Sequence, residues 1–390
     1  MFIISRPTAS AGSGGSGGGG ADYRFGMINL GTTRSKYLWP FSASSPWNTP
    51  IKSGASLSAA GISFIESGTN SGGFPTRLRA ESERIFMDTA APIHTIKFNC
   101  YGWGGQSGCS ETGRCNASTG ATFSGTPYFG DFNVPVSSTF IVGNDGGNDS
   151  AAWIDATGNT VMQAQPYAHC TTGGDYTALV RFSDNSITGI GASGAHGGSN
   201  LSALGGTIRY GEITNALNHG LTYLSHALKV NIDAHRFYYY SHTPGWVEPA
   251  KIRDGYASAG TYGGTNPNLV PGALLTLNSS FNVAGLLTAV GRILAETIKR
   301  FGMYCVDDTT WNAVAISVED GPAGSATTEL SGLGYTLNYD PASLAGGNAF
   351  YQDMRTIFAA LYIVTNNNNS NLGGGGSVMY STPAAPAFGN

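Results

Sequence analysis

The sequence predicts a mainly β fold: a β-sandwich or jelly-roll-like domain with two amphipathic helices packed on it. Three observations lead there. Glycine reaches 57 of 390 residues, tyrosine and phenylalanine number 19 and 18, and charged residues make up only 11%. Tight turns and aromatic strands account for such a mixture better than a helical bundle does. Short apolar or alternating runs recur along the chain between turn formers, the signature of strands. Helical periodicity stands out in only two places.

Taken in order, residues 1–37 open with a β-prone run at Phe2–Ile4 and pass into GSGGSGGGG, a flexible composition. They read as an assembly arm. Residues 38–51, LWPFSASSPWNTPI, are extended and aromatic, with Trp47 and Asn48 held between prolines. They are expected to cap the core. Strands are expected at residues 89–98, 139–142, 151–163 and 176–182. In 151–163, Asp155 through Asn159 form a hairpin connection, with Gly158 supplying the positive φ. HALKVNI (226–232) reads as a strand entering the core. Residues 287–302 place Val290, Ile293, Leu294, Ile298 and Phe301 on one helical face. Lys299 and Arg300 complement the helix dipole there, and Gly302 terminates the helix. MYCVDD then reads as a buried strand ending in two carboxylates. Residues 348–361 form the second helix, with Phe350, Met354, Ile357, Phe358 and Leu361 on one face. A short strand follows at 362–365. The domain spans 38–367, and the Asn- and Gly-rich residues 368–390 read as a low-complexity, non-core tail.

Composition excludes several classes. Net charge is −4 with no basic cluster, so nucleic acid is not an expected partner. No apolar run reaches the length of a membrane span. The N-terminus lacks the pattern of a secretory signal. There is no CxxC pair, P-loop, Gly-x-Ser-x-Gly elbow or His-Glu-x-x-His motif, so neither metal nor cofactor is expected. Of the five cysteines, Cys109–Cys115 is the favoured disulfide, with Cys100–Cys170 as a further pair. Cys305 reads as a buried free thiol.

The candidate site centres on residues 194–234. His196, Arg209, Glu212, His219 and His226 fall in that span and His235 just beyond it, in a chain with seven histidines. Gly197, Gly198, Gly205 and Gly206 allow close backbone approach there. Glu212 with His196 or His226 supplies a carboxylate and an imidazole for acid–base chemistry. The plainer alternative is an Arg209–Glu212 pair on a helical turn and a His226 bonded to backbone. A second group, Tyr239, Trp246, Asp254, Tyr262 and Asn266, combines aromatic faces with polar rims, as glycan recognition requires. Arg209 joins it as a binding residue. Asp307 and Asp308 are adjacent on a strand and point to opposite faces, so at most one joins a site, and Asp308 is the choice.

Several blocks resemble a group of secreted bacterial and phage-encoded proteins. They are PFSASSPWNTPI (40–51), AHGGSNLSALGGTIRYGEI (195–213), HALKV (226–230), RDGYA (253–257), YGGTNPNLVPGALLTL (262–277), GRILAETIKRFGMYCVDDT (291–309) and MRTIFAALYIVTNN (354–367). The resemblance implies a β-rich scaffold and assigns no catalytic residue. The Gly- and Asn-rich ends resemble phage tail or fibre proteins. The resulting expectation is an extracellular or virion-surface subunit that engages polysaccharide. It would assemble as a homo-oligomer, or with other subunits, through its N-terminal arm. The alternatives are a purely structural fibre or capsid-decorating subunit, and a glycoside hydrolase or polysaccharide lyase.

Overall fold

The computed structural model describes residues 33–65, 75–105, 108–118, 130–144, 147–340 and 348–389. The expected role of Phe2–Ile4 in assembly lies outside them. The strands are β1 (Thr33–Arg34), β2 (Leu57–Ala59), β3 (Arg77–Phe86), β4 (Ile93–Phe98), β5 (Phe132–Pro135), β6 (Ala151–Ile154), β7 (Thr160–Ala168), β8 (Tyr176–Arg181), β9 (Asn185–Ser186), β10 (Leu228–Ile232), β11 (Leu274–Leu277), β12 (Met303–Asp308), β13 (Ala313–Gly321), β14 (Gly324–Ser325), β15 (Leu361–Val364) and β16 (Ala387–Phe388). The helices are α1 (Glu212–His219), α2 (Ala234–Phe237), α3 (Ala289–Phe301), α4 (Ala326–Gly332) and α5 (Ala349–Ala359).

The protein is mainly β, and both expected helices form. The strands follow one hydrogen-bonded path, β2-β15-β11-β12-β10-β13-β3-β6-β7-β8-β4-β5, which forms a large mixed sheet. This continuous pairing is observed where a sandwich or jelly-roll was expected. Its central pair, β3 and β13, runs parallel over Arg77–Glu83 and Ala313–Glu319. Neither strand was evident from the sequence. Arg77–Phe86 reads RLRAESERIF, with five charged side chains in ten residues, which resembles a solvated surface more than the middle of a sheet.

Alternation along the central strands builds two different faces. Leu228, Val230 and Ile232 of β10, Met303 and Cys305 of β12, and Val314, Ile316 and Val318 of β13 join the core that α3 and α5 cover. Thr288 caps α3 by accepting from the Gly291 amide, and Asn348 caps α5. The opposite face carries Lys229 and Asn231 of β10, Ser317 of β13 and Glu83 of β3, all buried. Residues 191–208 lie across this face, and Ala195, Leu201, Ala203 and Leu204 pack with Trp47, Tyr304 and Ile85. Trp47 caps this layer as expected, donating from Nε1 to the Gly191 carbonyl at 2.7 Å. The covering segment lies flat because it lacks side chains at its contact points. A Cβ on Gly205 would come within 2.2 Å of the Trp47 ring.

The outer strands β4 to β8 form a second, all-β region whose core stacks Phe86 on Trp153 at 5.4 Å. The hairpin between β6 and β7 forms as expected, with Gly158 at φ 72. Residues 139–142 give only a bridge from Val142 to His169. The disulfides are Cys100–Cys109 and Cys115–Cys170, which corrects the expected Cys109–Cys115 and Cys100–Cys170 pairs. The strand register carries Cys170 beside the loop after β4, a proximity that local spacing does not encode. Cys305 is a buried free thiol, as expected.

Residues 368–389, read from the sequence as a low-complexity, non-core tail, are bonded to the body of the fold. Lys52, Ser53 and Gly54 donate their amides to the carbonyls of Gly373, Ser377 and Gly375. Gly373 through Gly376 all adopt positive φ, which lets this run fold back onto residues 50–55. Two-residue β16 pairs with β1.

Candidate functional site

The site is assembled on the polar face of the central strands. Glu83 of β3 is fully buried, and its Oε1 accepts from Lys229 Nζ at 2.8 Å and from His196 Nε2 at 2.5 Å. Lys229 spends its other donors on the Ser202 and Ala203 carbonyls, both at 2.8 Å. Burial alone would raise the Glu83 carboxyl, but the His196 and Lys229 charges outweigh it and hold it below its usual range. Burial pulls the His196 imidazole down, and Glu83 more than reverses this, leaving it raised. Burial lowers Lys229, with Glu83 offsetting part of the effect. Cations and carboxylate are thus mutually dependent in a dry setting.

The far side of the imidazole faces a group of carboxylates. His196 Nδ1 lies 3.6 Å from Asp307 Oδ2. Asp307 sits near the end of β12, where the register shifts between Val230 and Asn231 of the neighbouring strand. Its Oδ1 accepts the Asp308 amide at 2.9 Å, and Asn148 Nδ2 stands 3.5 Å from Oδ2. Asp254 arrives from the loop after α2, and its Oδ2 meets the Tyr262 hydroxyl at 2.6 Å. The two carboxylates converge over Gly198. A Cβ placed there would lie 2.3 Å from Asp307 Oδ1 and 3.0 Å from Asp254 Oδ2. Asp308 closes the group, accepting from Tyr256 at 2.9 Å and from the Ala234 and Thr310 amides.

Burial pushes the Asp254 carboxyl up to about 7, with the Asp307 charge adding to the effect. Burial, reinforced by Glu83, pushes Glu81 up to about 8, although part of its surface stays exposed. Burial also raises Asp308, and it raises Tyr256 and Tyr262, with the Asp254 charge adding in both. Tyr256 is 50% exposed and Asp254 partly so, whereas Asp307 is 6% exposed. The group therefore runs from solvent inward, with an aromatic ring at its lip.

Comparison with known protein families, curated proteins and solved structures finds no match for this chain. The functional reading rests on the geometry.

Of the sequence-predicted residues, the structure brings His196, Asp254 and Tyr262 together. Glu212 and His226 form a different pair, with His226 Nε2 on Glu212 Oε1 at 3.0 Å and Nδ1 on the Ala227 carbonyl at 2.8 Å. Glu212 Oε2 accepts the Arg209 amide at 2.9 Å. Glu212 makes these contacts instead of joining the group around Asp254 and Asp307, so its expected part as acid or base is not carried forward. The Arg209 side chain pairs with Glu319 at 2.6 Å and with the Tyr37 carbonyl, not with the Glu212 carboxylate. Arg209 and Glu319 also line a groove of about 720 Å³ with Tyr37, Phe86 and Tyr210. Asn266 ties its loop to the Ala59 and Ala60 carbonyls. Trp246 packs on the core around Trp47, and the Tyr239 amide donates to Leu269. The expected catalytic residues His196, Glu212 and His226 are thus divided between two pairs, and Tyr239, Trp246 and Asn266 are placed by contacts of their own. The choice of Asp308 over Asp307 is corrected, because both carboxylates reach the group at the strand's end.

Glu81, Glu83, Lys229, Asp307 and Tyr256 were missed or set aside. A signal existed for the first three: charge is scarce in this chain, yet β3 is dense with it and Lys229 interrupts an apolar run. One further grouping, Cys100, Cys109 and Glu111, clusters potential ligand atoms. Its two sulfurs form a disulfide, so it offers no thiolate to a metal.

Proposed function

We propose that this chain is a glycoside hydrolase acting on an extracellular glycan, with Asp254 and Asp307 as its reacting carboxylates. The convergence of these two side chains over Gly198 carries the reading. A glycosidic bond needs a proton donor and an opposing carboxylate. Asp254, pushed up to about 7, retains a proton near neutrality. Tyr256 offers a half-exposed ring for a sugar face.

Among the alternatives, the lyase is supported less well. Lyases act on uronic acids and must neutralise a substrate carboxylate, whereas the exposed part of this site is acidic. Its cations, His196 and Lys229, are buried and engaged with Glu83. Two disulfides support an oxidising compartment, and no helix among the described residues is long and apolar enough to cross a membrane. The wider expectation of an extracellular or virion-surface subunit that engages polysaccharide is served by the same group of residues.

The test is reducing-end release from a panel of neutral and amino-sugar polysaccharides by the oxidised chain. Cleavage without unsaturated products, abolished by Asp307→Asn with thermal stability retained, is the expected result. Cleavage that Asp307→Asn leaves intact, or a panel that is bound but never cut, rejects the assignment.

A further inference from the structure

Glu83 Oε2, Asn231 Oδ1 and Ser317 Oγ are buried on this face without a hydrogen-bond partner among the described residues. Strand register places Ser317 opposite Glu81, and Asn231 on the same face as Lys229. A buried polar atom without a partner is costly, and these three lie on the face that carries the acidic group. His196 is fully buried, and its Nδ1 faces Asp307 Oδ2 at 3.6 Å. Asn231 stands opposite Asp307 in the strand register, so its orphaned amide oxygen is an indication of a ligand that does not rest on the carboxylates themselves.

The spacing of the carboxylates then limits the chemistry. The contacts around Gly198 keep Asp254 Oδ2 and Asp307 Oδ1 no farther apart than the roughly 5.5 Å of retaining glycosidases. Inverting pairs stand about 6.5–9.5 Å apart, to admit a water between carboxylate and sugar. Asp307 is also the deeper of the two, with the imidazole behind it and the Asp308 amide on Oδ1. A nucleophile held in that way is oriented before substrate arrives. Asp254, nearer solvent and bonded to Tyr262, is placed to exchange a proton with a leaving group or a water.

We propose that this site cleaves with retention of anomeric configuration, through a glycosyl ester on Asp307, with Asp254 as acid and then base. His196 serves as a positioning residue. This rests on the hydrolase reading above. In the first step an Asp307 oxygen bonds to the anomeric carbon. The bond from that carbon to the leaving oxygen breaks, its electron pair stays with the leaving oxygen, and that oxygen takes the Asp254 proton. In the second step water attacks the same carbon and gives a proton to Asp254. The ester bond breaks, and Asp307 leaves as carboxylate. His196 holds Asp307 throughout without bonding to the sugar, and Glu83 and Lys229 hold His196.

The test uses the intact, oxidised chain and the sugar that the polysaccharide screen shows to be released. Proton NMR of the first-formed product is expected to show the substrate's own anomer. A fluorosugar glycoside of that sugar with a dinitrophenolate leaving group is expected to release one equivalent in a burst. It should then leave a mass increment on the peptide holding Asp307. Asp254→Asn should lower kcat/KM on natural substrates more than a hundredfold but leave the burst of dinitrophenolate little changed, because that leaving group needs no proton; steady-state turnover should still fall, because the second step loses its base. His196→Gln should lower kcat at unchanged KM, a split that a purely structural role would not give. If that variant fails to fold, the label on the unaltered chain still decides the matter. An inverted product, or a label on Glu81 or Asp254, overturns this proposal while leaving a hydrolase. A chain that cleaves no glycan overturns the reading beneath it.

Discussion

His196 and His226 each place Nε2 on a glutamate oxygen, at 2.5 and 3.0 Å, and in both the carboxylate raises the imidazole against the effect of burial. They differ at the other nitrogen. His226 Nδ1 donates to its neighbour's carbonyl, and Glu212 has no free oxygen, so that pair is closed. His196 Nδ1 instead faces the Asp307 carboxylate at 3.6 Å, while Glu83 keeps one oxygen unpaired among the described residues. The same two residue types thus form a clamp in one place and the back wall of a site in the other. The difference lies in where the second nitrogen ends: on main chain in the clamp, and on another carboxylate in the site.

Substitutions should separate the two pairs. The largest effect is expected from Asp307→Asn, a loss of roughly a thousandfold or more in turnover with an unchanged melting temperature. Glycan cleavage and calorimetry measure both. Next, Glu83→Ala leaves the buried Lys229 ammonium without its carboxylate and should destabilise the fold by about 3–5 kcal/mol in urea titration. Glu212→Gln should cost about 2 kcal/mol and leave turnover intact. Equal loss of activity from Glu212→Gln and Asp307→Asn would erase the distinction between clamp and site.

Stability should depend on pH through the His226 pair and through Asp254. Because the His226 imidazole is raised when folded, its contribution is fully present below its unfolded pKa and lost as pH rises through the folded one. Glu212→Gln should flatten that part of the profile. Asp254 is a raised carboxyl facing Asp307, Asp308, Tyr256 and Tyr262. Its protonated form favours the fold, so stability declines between its unfolded pKa and about 7. Asp254→Asn should therefore raise stability at pH 8 by on the order of 1–2 kcal/mol while removing activity. The smallest change is expected from Tyr256→Phe, which removes one hydroxyl from Asp308 at the lip and should cost about 1 kcal/mol in substrate binding.

Much of the framework was legible in the sequence. The helix faces of α3 and α5, the hairpin at Gly158 and the buried strand ending in Asp307 and Asp308 all follow local periodicity or turn chemistry. The glycine-framed segment around His196 was legible as a place of close approach, and Gly198 is that place. β3 was not legible, because a charged strand buried beneath a loop reads like one facing water.

The sequence by itself therefore determined a β-rich chain with two amphipathic helices, and one polar stretch pressed against something. Only the tertiary structure decided what that something is. Lys229 meets Glu83 across 146 residues and His196 meets it across 113, through the pairing of β10, β13 and β3. Local pattern sets which way a side chain points from its own strand. Which strand lies beside it, and whether water or a loop covers the face, depends on the packing of the whole sheet.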